Sequence, residues 1–175
     1  MKNIIYVALA FFAFTSCEQQ KIGFVDNGTV INDYQEKKDI EAKYQIKEEA
    51  FRKRADSIGQ AFQAEAQKGQ AEAQRLARSN RKKAEEMMLG LQQKQQKLQQ
   101  QMQIEQQAIT KEFQTEIDSV ISTVKTFVKD YGKTNQYTYI LGTSDATSSV
   151  MYGADAKDLT KTILEAINTE YEKSK

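Results

Sequence analysis

The sequence AQRLARSNRKKAEEM, running from Ala73 to Met87, holds two helical signals with a break between them. Leu76-Ala77 and Lys83-Ala84 are good helix formers, whereas Ser79-Asn80 suits a helix end and tolerates left-handed geometry. One helix arrives here and a second leaves, with the turn at residues 79–81.

Outward from that turn the pattern stays helical from Gln35 to Tyr131, rich in Ala, Glu, Gln, Lys, Arg, Leu and Met. The chain has no Pro and its eight Gly are scattered, so long helices are permitted. Apolar residues recur at spacings of three, four and seven on both sides of the turn, the stripe of a coiled coil. The stripes mirror each other: Phe62 falls opposite Leu98, Ile58 opposite Met102, Phe51 opposite Ile109 and Ile40 opposite Val120, each pair of numbers adding to 160. Registers one heptad away match almost as well, and the turn chemistry at Asn80 selects between them. Residues 35–131 thus read as an antiparallel helical hairpin with arms of roughly 40 residues, about 60 Å at 1.5 Å per residue. Gly69 and Gly90 fall nearly opposite in this register, which suggests a shared soft point.

The tip of this hairpin is basic. Arg75, Arg78, Arg81, Lys82 and Lys83 occur with no acid between them, a cluster suited to anionic lipid headgroups. Further along, Gln92 to Gln107 contains ten glutamines in sixteen residues, yet its apolar residues keep helical spacing, so it reads as a solvated helix face. Met87, Met88 and Met102 add the adaptable contacts that promiscuous surfaces use.

The flanks form a small body from residues 21–34 and 132–175. Strands are expected near 21–25, 137–142 and 149–152, and Asp130-Tyr131-Gly132 is expected to close the hairpin. A C-terminal helix is expected over 156–172, burying Leu159, Ile163, Leu164 and Ile167. Such a body buries little core alone and exposes strand edges, two reasons to oligomerise.

Residues 1–16 read as an export signal, with Lys2, an apolar run from Ile4 to Phe14, then Thr15 and Ser16. That run is too short for the ~20 residues that span a bilayer. Phe14-Thr15-Ser16-Cys17 resembles a lipobox, departing from it at Phe14 where Leu is usual. Cys17 is the only cysteine, has no disulfide partner, and is read as lipidated, with 17–20 as a short tether. The chain carries 25 basic and 24 acidic residues; losing Lys2 with the signal leaves 24 of each, so net charge names no partner.

The order of a strand KIGFVD, a helical turn, a long helical hairpin, YTYILG, a polar turn, SVMYG and a helix near DAKDLT resembles the Skp/OmpH family of periplasmic chaperones, over Lys21 to about Ile167. The resemblance implies a mostly α fold, with a long hairpin tentacle projecting from a small α+β trimerisation body. It also implies an ATP-independent holdase that keeps unfolded outer-membrane proteins in a cavity between the arms of a homotrimer, with no cofactor and no metal. Ile22, Phe24, Tyr139, Leu141 and Tyr152 would then belong to the body and its subunit contacts. Better-known members are soluble, whereas Cys17 would tie this chain to a membrane, on the periplasmic side of a bacterial envelope.

Catalysis finds little material here, with no His, no second Cys, no helix-scale metal constellation and no Gly-rich phosphate loop. The chain reads as a non-enzyme. Zero net charge and the export signal argue against nucleic acid. The competing function is a structural coiled-coil envelope lipoprotein that holds no client.

Overall fold

The computed structural model describes residues 20–144 and 149–175. The signal segment and Cys17 lie outside them. In chain order the elements are β1 (Ile22–Asp26), α1 (Asn27–Asp33), α2 (Gln35–Ala77), α3 (Arg81–Thr134), β2 (Tyr139–Thr143), a 3-10 turn (Asp155–Lys157) and α4 (Thr160–Ser174). The fold is mostly α with a small sheet. The chain divides into two compact units, one of Gln35–Ile121 and the other of residues up to Tyr34 together with Ser122–Lys175.

In the helical unit, α2 runs 43 residues, about 65 Å at 1.5 Å per residue. Its end is closed by two amides, Ser79 N–H (3.0 Å) and Asn80 N–H (2.6 Å), which both donate to the Leu76 carbonyl. Asn80 then opens α3: its Oδ1 accepts from the Lys83 amide at 3.1 Å, capping an otherwise orphaned donor. Neither helix is apolar enough to hold its shape by burial alone. The two run antiparallel, because four cross-helix ion pairs join residues whose numbers add to 159: Lys43 with Glu116, Lys47 with Glu112, Arg54 with Glu105, and Glu65 with Lys94.

The second unit is built on β1 and β2, which pair in parallel with Ile22 opposite Tyr139 and Phe24 opposite Leu141. Parallel neighbours need a long crossover, and here the connection contains α1, α2 and α3. Asp26 caps α1 by accepting from the Thr29 amide at 3.0 Å. Extended backbone at Tyr34 separates α1 from α2. One sheet face is closed: Val25 is buried with Val30, Tyr34, Val124, Leu159, Ile163 and Ile167. The Tyr34 ring meets Tyr171 edge-on at 5.8 Å.

Three local expectations differ from the structure. Residues 149–152 form no strand; Met151 and Tyr152 are 89% and 88% exposed. They have no place beside β1, whose edges are taken by β2 and by a bridge from Phe24 to Asp158, with the Leu159 amide donating to the Phe24 carbonyl at 2.8 Å. That bridge also holds Asp158 extended, so the C-terminal helix starts at Thr160 rather than 156. Gly132 does not stop α3, which continues to Thr134. Instead Gly132 makes room for Ile140, whose Cδ1 would lie 3.3 Å from an added Cβ, and the left-handed residue is Gln136, with φ 58°.

Candidate functional surfaces

The hairpin seam is narrow because two helices alone cannot enclose a wide core. Ile40, Phe51, Ile58, Phe62, Leu98, Met102 and Ile109 are half-buried along it and Val120 is fully buried. Near the tip the helices approach over small residues: Ala73 and Ala84 are buried. Leu91 lies on Gly69, so an added Cβ there would sit 2.7 Å from Leu91 Cδ1. Gly90 has open space around it. The two glycines therefore differ, one receiving a side chain and the other facing outward.

Farther from the tip a polar cluster flanks the seam, one that hydrophobic spacing did not single out. The Tyr44 hydroxyl (2.8 Å) and the Lys43 ammonium (2.6 Å) both donate to Glu116 Oε1, and the Tyr44 ring lies 5.2 Å from Phe113. Lys47 donates to Glu112 at 2.7 Å. The hydrogen bond from Lys43, then that from Tyr44, holds the Glu116 carboxyl below the usual carboxylate range. Lys47 does the same to Glu112 and is itself raised by that bond. Desolvation, reinforced by the Glu116 hydrogen bond, raises the Tyr44 phenol. The signal for this cluster was present in the sequence as opposite charges at mirrored positions.

Outside the seam a few large apolar residues are exposed. Ile46 is 69% and Ile104 58% exposed, and Met88 and Leu89 are open to solvent as well. Met88 and Leu89 border a groove of about 860 Å³ that is also lined by Ala73, Ala77, Ala84 and Arg81. At the tip, Arg75 pairs with Glu72 and Arg81 with Glu85, both at 2.8 Å. Arg78, Lys82 and Lys83 have no acid partner among the described residues. The turn holds these three exposed, while Glu72, Glu85 and Glu86 dilute the cluster that the bare run of cations suggested.

In the other unit, the sheet face opposite the core is only partly covered. Pairing and pleat put Ile22, Phe24, Tyr139 and Leu141 on one side. Ile22, Tyr139 and Leu141 are exposed, and Gly153 lies so close to Phe24 that a Cβ would overlap its ring. Tyr152 follows next to this contact, fully open. β2 also keeps a free edge among the described residues.

No group of acidic, Cys or His side chains among the described residues could hold a metal, and none of their helices is long and apolar enough to cross a membrane. What the arrangement offers is surface: an adaptable helical face, a cationic turn and a partly open apolar sheet face. That defines a protein that binds other macromolecules by helical hairpin and sheet surfaces. The family model described as outer membrane protein (OmpH-like) matches residues 21–167, most of the chain, and the protein belongs to that family. A comparison with curated proteins finds no match. Membership suggests a chaperone of outer-membrane proteins in general, in the cell envelope.

Proposed function

We propose that the protein is an ATP-independent periplasmic holdase that keeps unfolded outer-membrane proteins soluble in a cavity between the arms of a homotrimer. The observation that carries this reading is the outward surface of the hairpin. Ile46, Ile104 and the neighbouring Met88 and Leu89 are exposed on helices joined by a thin apolar seam and flanking ion pairs, so apolar contact is available in small separate patches rather than one large one. Weak, repeated contacts of this kind suit an extended client that must later be released.

The exposed Ile22, Tyr139 and Leu141, around a Phe24 on which Gly153 packs, and the exposed Tyr152 support assembly through the sheet unit. Cys17 carries the lipid that anchors the chain on the periplasmic side. Arg78, Lys82 and Lys83, with Arg75 and Arg81, contact anionic headgroups or acidic client segments.

The test is dilution of a urea-unfolded outer-membrane β-barrel protein into buffer with and without the chaperone, followed by light scattering. Suppression is expected, together with loss of suppression in an Ile46→Glu, Ile104→Glu variant whose helicity is unchanged. Equal aggregation in all samples would leave a structural coiled-coil lipoprotein as the reading.

A further inference from the structure

The four cross-helix ion pairs flank the hairpin seam on one side. On α2 their members come one residue before a seam position, as Lys43 before Tyr44, Arg54 before Ala55 and Glu65 before Ala66. Glutamines come one residue after it: Gln63 after Phe62, Gln67 after Ala66, Gln70 after Gly69 and Gln74 after Ala73. At about 100° per residue, before and after are opposite sides of the helix. The same holds on α3, where Gln92 follows Leu91 and Gln99 follows Leu98. The two rows share a side, because Gln70 and Gln74 line the groove together with Gln92, Met88, Ala73 and Ala84. These six glutamines are exposed, and their side-chain amides have no partner among the described residues. The glutamine side is also free of charge over 59–74 and 88–106. The charged residues of those stretches are Glu65, Lys68, Glu72, Lys94, Lys97 and Glu105, and the same angular step puts all six on the ion-paired half.

We propose that this side is a docking strip for an extended, uncharged segment of an unfolded protein, held by glutamine amides on its backbone and by an apolar side chain in the groove beside Met88. The inference rests on the protein holding unfolded clients, and adds which side of the arm receives such a segment and by what chemistry. An unfolded segment carries a backbone acceptor at every residue and a donor at every residue but proline, whatever its side chains. A carboxamide offers two donors and an acceptor, so a single glutamine matches both groups. The row from Gln63 to Gln74 rises about 17 Å, the length of roughly five extended residues. The ion-paired side offers less, because its Lys, Arg and Glu groups already engage one another. Charge complementarity selects the occupant as well: a charged side chain laid on the strip would lose water and gain no counter-charge, whereas an uncharged segment loses nothing of that kind.

The mature protein is made with the photo-crosslinking residue p-benzoylphenylalanine in place of Gln70, Gln92 or Gln99, or in place of Lys68 or Lys97 on the other half, and is irradiated with a urea-unfolded outer-membrane β-barrel protein. Client adducts are expected at the three glutamine positions and not at the two lysines. Separately, the Gln63→Ala, Gln70→Ala, Gln92→Ala, Gln99→Ala variant keeps good helix formers throughout. Its client Kd is expected to rise at least about fivefold, the factor of one hydrogen bond at ~1 kcal/mol, and by the same factor at low and high salt. Lys68→Ala, Lys97→Ala is expected to leave Kd unchanged. Adducts spread equally over the five positions, or a quadruple variant that binds client as before, overturn the strip and leave the holdase reading standing. Adducts between chaperone chains at the glutamine positions before client is added assign the strip to a second copy and overturn it too. No client adduct at any position, with no suppression of client aggregation, overturns both readings together.

Discussion

Substituting the three helical glycines of the hairpin with alanine tests the seam register. Gly59 and Gly90 have nothing within 4 Å of where a Cβ would be placed, so alanine there gains only the helix preference, about 0.5–1 kcal/mol each. The sites are far apart and their gains should add, giving roughly 1–2 kcal/mol in the double variant. Gly69→Ala has the same intrinsic gain, but its Cβ would lie 2.7 Å from Leu91 Cδ1. Forcing that side chain aside costs about 1–3 kcal/mol, so the net change runs from neutral to about 2 kcal/mol destabilising. Leu91→Ala removes the obstacle, and in that background Gly69→Ala should recover its full gain. Urea unfolding followed by helical circular dichroism gives all the terms of this cycle. A coupling of at least about 1 kcal/mol between positions 69 and 91 is expected. Equal gains at Gly59, Gly69 and Gly90 with no coupling to Leu91 would mean that the two helices are not in this register.

Acid should weaken the hairpin through the Tyr44 cluster. Glu112 and Glu116 are held below 4.5, so their contribution is present above the ordinary carboxylate value and is lost as pH falls through the lower, folded-state values. Melting curves should show this loss between neutral pH and pH values below 4, and Glu116→Gln should flatten it. Tyr44 and Lys47 are raised, so their contribution is present below their ordinary values and declines as pH climbs through the folded-state ones; Tyr44→Phe should reduce the alkaline loss. Asn80→Ala removes the cap on the Lys83 amide and should cost about 0.5–2 kcal/mol in urea unfolding, with no change in client binding. Ile163→Ala opens a cavity at a fully buried site and should cost about 2–5 kcal/mol, read as early loss of sheet-unit amide protection in hydrogen exchange.

Much of the fold was legible because helical pairing repeats one simple rule. Stripes of Phe, Ile, Leu and Met at heptad spacing, broken once at Ser79-Asn80, specify two helices and their mirrored register; Leu91 on Gly69 keeps it at 160, and the flanking pair of Lys47 with Glu112 falls one residue away at 159. The sheet unit was less legible because its elements are fixed by non-local partners. SVMY has the composition of a strand, yet pairing is decided by non-local partners: Asp158 takes the edge of β1 beside Phe24, and residues 149–152 do not pair with the remaining edge on β2. Gly132 looked like a helix stop because glycine often ends helices; here Ile140, distant in sequence from the seam pattern, requires the missing side chain. Among the surfaces, the basic turn was readable as a run of cations. Its dilution by Glu72 and Glu85 follows equally from local spacing, three residues from Arg75 and four from Arg81, which the bare run of cations leaves out. Nothing in local sequence announced the hydrogen bond from the Lys21 ammonium to the Asn135 carbonyl, 114 residues away.

Light scattering coupled to size exclusion tests the central claim most directly, using mature protein alone and after mixing with an unfolded outer-membrane β-barrel protein. The account predicts a mass of three chains that rises by one client, with the client recovered in the soluble peak. A single-chain mass with the client lost to precipitate, as in buffer alone, would contradict it.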